Sequence, residues 1–345
     1  MTDRSSIAAQ IISVLAALAV LAGFLLFIHF IAPVSFEEKW KEVEIPEGST
    51  FTEAVDILKD RGIIENRLGL LLLGRITSAD TQLKPGYYNL SASMSPLEVF
   101  EDLIEGRTVQ FSVTVPEGST LRDIKRKLEK TGLIDDKSWR LVYDRDFLAK
   151  LGIDAPSLEG YIYPDTYNFS KGIEPETIFR IMVQRMNEIF DDSMKARAGE
   201  LGMTVNEVLT LASIIEKEAI FNDERPLISA VYHNRLKRNM KLQADPTVLY
   251  GVKKRWKRIR YRDLRRATPY NTYVIKGLPP GPIASPGIES IKAALYPADV
   301  DYLYFVSKNN GRHYFSRTGE EHVEAVSYYQ LDGKKKPGDD KGNIN

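Results

Sequence analysis

The chain reads as an α+β protein carried behind a single-pass amino-terminal transmembrane helix. Three observations lead there: an apolar run over residues 7–32, a strand–turn–helix unit that occurs twice, and a second half mixing amphipathic helices with short strands and rigid Pro/Gly loops. At 345 residues there is room for two domains and appendages. Lys plus Arg and Asp plus Glu both number 47, so no global field favours nucleic acid. The absence of cysteine excludes disulfides and thiolate chemistry. His29, His233, His313 and His322 have no ligand-like spacing, so neither a metal nor another cofactor is expected.

From Ile7 to Ala32 only Gln10, Ser13 and His29 interrupt the apolar run. Roughly 20 such residues span a bilayer. The run exceeds the roughly 7–15 apolar residues of a cleaved signal, and Pro33-Val34-Ser35-Phe36 lacks a small-x-small cleavage pattern. An uncleaved anchor at 7–32 is therefore expected, with residues 1–6 as a cytoplasmic tail and everything after it outside.

Ile45-Pro46-Glu47-Gly48-Ser49-Thr50 returns as Val115-Pro116-Glu117-Gly118-Ser119-Thr120. Leu58, Gly62, Ile63 and Ile64 then match Leu128, Gly132, Leu133 and Ile134. Each copy predicts a strand, a Pro-Glu-Gly turn, a Ser/Thr-capped helix and a left-handed Gly stop. After the first copy come an apolar helix (68–73), a returning strand near Tyr87-Tyr88, and a helix over 97–105 ended by Gly106. The unit is either a structural β-α repeat or a LysM-like glycan-binding module.

Tyr161, Tyr163 and Tyr167 crowd one turn-rich stretch, either a hairpin covering a core or a wall of a sugar cleft. Residues 174–192 predict one amphipathic helix, with Ile178, Ile181, Met182, Met186 and Ile189 on its buried face. Thr204 and Glu207 form a capping box opening a second. Val208, Leu211, Ala212, Ile215 and Ala219 mark its apolar face. Glu216 and Glu218, two residues apart, fall on opposite shoulders of that face. They are either solvated helix charges or a partly desolvated pair, one able to stay protonated as a general acid.

A third helix is expected over 227–240. In Leu242–Tyr250 the alternation predicts an extended stretch with Gln243, Asp245 and Thr247 on one side. Residues 253–266 are basic and read as a solvated loop, or as a patch for anionic lipid or wall polymer. The loop 277–287 is stiffened by Pro and Gly, a setting for preorganised polar groups. A short helix at 290–296 and a hairpin of 302–306 with 313–316 follow, and the Lys/Gly/Asp-rich residues 332–345 predict a disordered tail.

The blocks EGYIYPDTY (159–167), LASIIEKEA (211–219), LQADPTVLYG (242–251), YNTY (270–273), GLPPGPIASPG (277–287) and YLYFV (302–306) together resemble the YceG-like, membrane-anchored endolytic murein transglycosylases. The resemblance runs from Val43 to Gln330. It implies a LysM-like subdomain at 40–109 and an α+β lytic transglycosylase domain at 110–331. It further implies cleavage of the β-1,4 bond from N-acetylmuramic acid to N-acetylglucosamine within nascent peptidoglycan strands, leaving 1,6-anhydromuramyl ends and terminating strand elongation. It places the protein at the bacterial inner membrane with its catalytic domain outside, and makes peptidoglycan synthases (penicillin-binding proteins) candidate partners, with no nucleic acid. Glu218-Ala219-Ile220-Phe221-Asn222 is similar to the segment around the catalytic acid of other lytic transglycosylases, with Ala219 in place of a Ser or Thr. That implies Glu218 as acid and then base, with Glu216 supporting. Gln243, Asp245, Thr247, Tyr270, Asn271, Thr272, Ser285, Tyr161 and Asp165 are the implied sugar contacts. A non-catalytic wall-binding scaffold and a muramidase-type hydrolase remain the alternatives.

Overall fold

A computed structural model describes residues 10, 12–24, 32–251 and 259–331. Residues 12–24 form helix α1 with its side chains exposed. Among the described residues no helix is long and apolar enough to cross a membrane. The expected anchor lies partly outside them, at 7–9, 11 and 25–31, as do part of the basic stretch (252–258) and the tail (332–345). The chain divides into two compact units, one of residues 1–111 with 168–173 and one of 112–167 with 174–345.

In the first unit β1 (Trp40–Ile45) and β2 (Gly86–Ser91) pair antiparallel, from Trp40 opposite Ser91 to Ile45 opposite Gly86. Helices α2 (Phe51–Asp60), α3 (Arg67–Thr77) and α4 (Pro96–Glu105) belong to the same unit. Thr50 with Glu53 and Ser95 with Glu98 make complete capping boxes for α2 and α4. Val43, Ile45, Val55, Leu58, Leu90 and Leu103 share one core with Tyr88, whose hydroxyl donates to the Lys84 carbonyl. Strand β3 (Gln110–Thr114) pairs with β4 (Thr166–Ser170), and the unit boundaries fall within these two strands.

The second unit holds α5 (Leu121–Thr131), α6 (Arg145–Lys150), α7 (Pro175–Ile189), α8 (Asp192–Glu200), α9 (Val205–Glu218), α10 (Arg225–Lys237), α11 (Asp245–Gly251), α12 (Tyr261–Leu264), α13 (Ile288–Leu295) and α14 (Gly319–Val326). A hairpin of β5 (Tyr304–Ser307) and β6 (His313–Ser316) completes it. The single helix expected over 174–192 stops at Ile189. Asp191 then caps α8 by accepting the Met194 N–H, so its side chain restarts rather than continues the helix.

Helix α9 is the centre of this unit. Periodicity predicts one buried face, but every residue from Val208 to Ile215 is buried, with α10, α11 and α13 packed around it. Its two polar members do not oppose this, because Thr210 donates to the Asn206 carbonyl (2.6 Å) and Ser213 to that of Thr210 (2.7 Å). The extended stretch expected at 242–250 is also revised. Gln243 takes a left-handed φ of 50°, and Asp245 opens α11. Alternation therefore gives way to helical spacing, and Thr247 turns inward instead of standing beside Gln243 and Asp245.

Gly160, at φ +78°, lets the tyrosine-rich loop approach the 277–287 loop; a Cβ there would lie 2.2 Å from that of Pro282. Gly160→Ala should destabilise the protein by more than about 1 kcal/mol. A lower melting temperature of the full chain in detergent would show it.

Candidate active site

Glu218 is the last residue of α9, and Ala219 leaves the helix with extended dihedrals. The carboxyl sits in a half-buried position against Tyr232 of α10, whose hydroxyl donates to it at 3.3 Å. Tyr232 is itself buried, with the Phe305 ring edge-on at 5.9 Å. Burial first, and then the charge of nearby Asp245, push the Glu218 carboxyl up to about 7, while the Tyr232 hydrogen bond pulls the other way. The negative end of the α9 dipole acts in the same direction as burial. On the facing loops, Tyr273 donates to Asp245 (2.7 Å). Buried Arg235 is held by the carbonyls of Leu303 (2.7 Å) and Leu242 (2.6 Å). The site can thus present a protonated carboxylic acid at neutral pH beside a second, exposed carboxylate.

Glu216 points about 200° round the helix from Glu218 and has a different fate. Arg225 donates to both its oxygens (3.0 and 3.3 Å), and the Gly287 N–H adds a bond at 3.0 Å. Both side chains are 7% exposed. Arg225 also bonds Asn222 (3.1 Å) and the Ser290 hydroxyl. Glu216 is therefore a structural carboxylate joining α9, α10 and the start of α13.

The structure sorts the expected sugar contacts. Gln243 and Asp245 are exposed, Asp245 near enough to Glu218 to act on its charge, and Tyr270 is half-exposed. Thr247 and Thr272 are wholly buried and bond each other at 2.9 Å, while Asn271 is buried and donates to three carbonyls of residues 263–266. These three lock loops. Ser285 is buried too, its hydroxyl unpartnered and its backbone bonded to Gly118 and Ser119. Tyr161 donates to Asn206 (3.1 Å) near the other end of α9, roughly 18 Å along the helix from Glu218. A cleft of about 1060 Å³ opens there, lined by Tyr161, Asn206 and Leu278. It does not contain Glu218. Asp165 is occupied by Arg185 at 2.8 Å. Sequence reasoning missed Tyr232, Tyr273 and Arg235 as neighbours of the Glu218 region, and Arg225 as the partner of Glu216, since α9 ends at Glu218 and no periodicity carries across the turn to α10 or to the 270–273 loop.

A buried helix thus ends in a carboxyl pushed up to about 7, beside the Tyr232 hydroxyl and Asp245. The YceG-like family model matches residues 43–328, and the chain belongs to that family. It is 33% identical over 328 residues to the endolytic murein transglycosylase of Bacillus subtilis, covering 89% of this chain and 90% of that protein. It is 30% identical to the endolytic murein transglycosylase of Streptococcus pneumoniae R6, covering 94% of this chain and 65% of that one. A crystal structure of a YceG-like protein from Listeria monocytogenes, 36% identical, covers 84% of this chain and all of its own, with a TM-score of 0.57. The mixed α+β fold is therefore the family's.

Arg225→Ala would leave the Glu216 charge buried and unpaired, so a loss of about 3–5 kcal/mol is expected in chemical denaturation. Glu218 behaves oppositely. Its folded pKa lies above the unfolded value near 4.3, so stability falls as pH rises from about 4.3 to 7, and the cost is complete above 7. Glu218→Gln cannot ionise. It should melt higher than the parent at pH 8, and the difference should vanish below about pH 4.

Proposed function

We propose that the protein is an endolytic peptidoglycan lytic transglycosylase with Glu218 as its single acid/base. The observation carrying this reading is the Glu218 carboxyl, kept protonated near neutrality at the end of a buried helix, in a chain whose named relatives are endolytic murein transglycosylases. Glu218 protonates the glycosidic oxygen as the C1–O bond of N-acetylmuramic acid breaks, and N-acetylglucosamine leaves with a free 4-hydroxyl. The muramyl 6-hydroxyl oxygen bonds to C1, and the Glu218 carboxylate takes its proton, regenerating the acid. The nucleophile is intramolecular, so no water is activated and no second catalytic carboxylate is required.

In the same reading, residues 7–32 anchor the chain in the cytoplasmic membrane and place the catalytic domain (110–331) outside. The LysM-like 40–109 subdomain holds glycan, and the enzyme terminates nascent strands made by neighbouring penicillin-binding proteins. Buried Glu216 keeps α9 in place, so its loss should act through stability.

Full chain in detergent, incubated with uncrosslinked glycan strands, should yield 1,6-anhydromuramyl ends by mass analysis. Reducing ends would instead assign hydrolysis, with Asp245 as the base for water. No cleavage would leave a wall-binding scaffold. Glu218→Gln should lower the rate by about 10²–10⁴-fold. For the parent, kcat/KM should fall as pH rises above about 7, because the acid is lost through the raised pKa. Full activity in Glu218→Gln with loss in folded Glu216→Gln would reverse the assignment.

A further inference from the structure

Glu159 is a second buried carboxyl that this mechanism does not use. It is 4% exposed. One oxygen accepts the Leu121 N–H at the first turn of α5 (2.9 Å), and the other accepts the Tyr250 hydroxyl (3.0 Å). The Tyr250 ring lies 4.7 Å from that of Tyr270, tilted by 56°. Both rings are half-exposed, and Tyr143, close enough to feel the Glu159 charge, is 57% exposed. A hydrophobic core would need no carboxyl here, and burying one is costly. The positive end of α5 and one phenol offset that cost, and the result is a surface tyrosine held in a single orientation.

We propose that Tyr143, Tyr250 and Tyr270 form an aromatic subsite that stacks on a pyranose ring of the bound glycan, with Glu159 as the positioning residue that orients Tyr250. The proposal rests on the transglycosylase reading for its place in the reaction. Helix α11 links the subsite to the acid: Asp245, near Glu218, opens it, and Tyr250 follows five residues later, roughly 7.5 Å along the axis and about 140° round it. The Tyr270 hydroxyl lies by Gly281, which also neighbours Asn206 near the far end of α9, so the subsite holds the strand away from the bond being cut. Flat tyrosine faces suit the C–H faces of N-acetylhexosamines, and a phenol already tied back has little rotamer freedom left to lose on binding.

The chain has no cysteine, so a fluorophore on Arg140→Cys labels one exposed position next to Tyr143. In the full chain carrying Glu218→Gln, tetra-N-acetylchitotetraose should give a saturable local signal. Tyr270→Ala should weaken its midpoint about tenfold. Glu159→Ala should weaken it severalfold, and Glu159→Gln, which keeps an acceptor for the Tyr250 hydroxyl, should restore it. In the active enzyme the same ring change should raise KM while kcat stays nearly constant. No local signal, or an unchanged midpoint in Tyr270→Ala, would overturn the subsite. Equal midpoints for folded Glu159→Ala and the parent would reduce Glu159 to a helix cap and overturn its positioning role. The titration needs no cleavage, so binding of the tetramer by the Glu218→Gln chain, together with no anhydro ends from the parent on uncrosslinked glycan strands, would refute the transglycosylase reading and leave the subsite standing.

Discussion

Taking Glu216 and Arg225 out of water costs several kcal/mol per ion before any attraction is counted, and much of the second unit is arranged around meeting that cost. The guanidinium addresses both carboxylate oxygens, Gly287 adds a backbone donor, and Asn222 and Ser290 take up further guanidinium hydrogens. Such a cluster tolerates only one arrangement of α9, α10 and the loop before α13. Ser213 fastens the same loop higher up by accepting the Ile283 N–H at 3.0 Å, and Asn206 donates to the Pro280 carbonyl, also at 3.0 Å. With α9 held along its length, the direction of Glu218 is no longer adjustable. It is aimed away from the ion pair by helix geometry alone.

Three acids in one unit show how neighbours decide what a carboxyl does. Glu216 has a guanidinium and serves structure. Glu218 has only a tyrosine hydroxyl and a nearby like charge, so its proton is retained up to about 7. Glu159 is also pushed up to about 7 by burial, but a helix-terminal amide and a phenol oppose the shift, and its two bonds leave it little room to reach substrate. Burial alone does not set what such a carboxyl can do; the partners do.

The repeated turn makes the same point for backbone. Both copies form the expected strand, turn, capped helix and left-handed Gly, because those features are encoded within a dozen residues. The turn at Glu47-Gly48 is exposed. In the second copy the Gly118 N–H donates to the Ser285 carbonyl and the Ser285 N–H to that of Ser119, both at 2.8 Å, and Lys217 donates to Gly118. An identical local signal thus becomes part of the platform beside α9 only where a partner loop is present.

Features that depend on near neighbours along the chain are legible in the residues themselves. The capping boxes at Thr50, Ser95, Thr120 and Thr204, the glycine stops and the hairpin at 304–316 all fall in that class, as does the opposition of Glu216 and Glu218 on one helix. The order of the motif blocks along the chain likewise makes the family recognisable. Which glutamate is paired is settled only in three dimensions, because Arg225 lies nine residues from Glu216, with a helix end and a turn between them. Packing also turns Thr247 inward, gives Glu218 the Tyr232 hydroxyl and Asp245 as neighbours, and seals the middle of α9 on every side. Desolvation and partner choice are properties of packing across many residues, and no local pattern carries them.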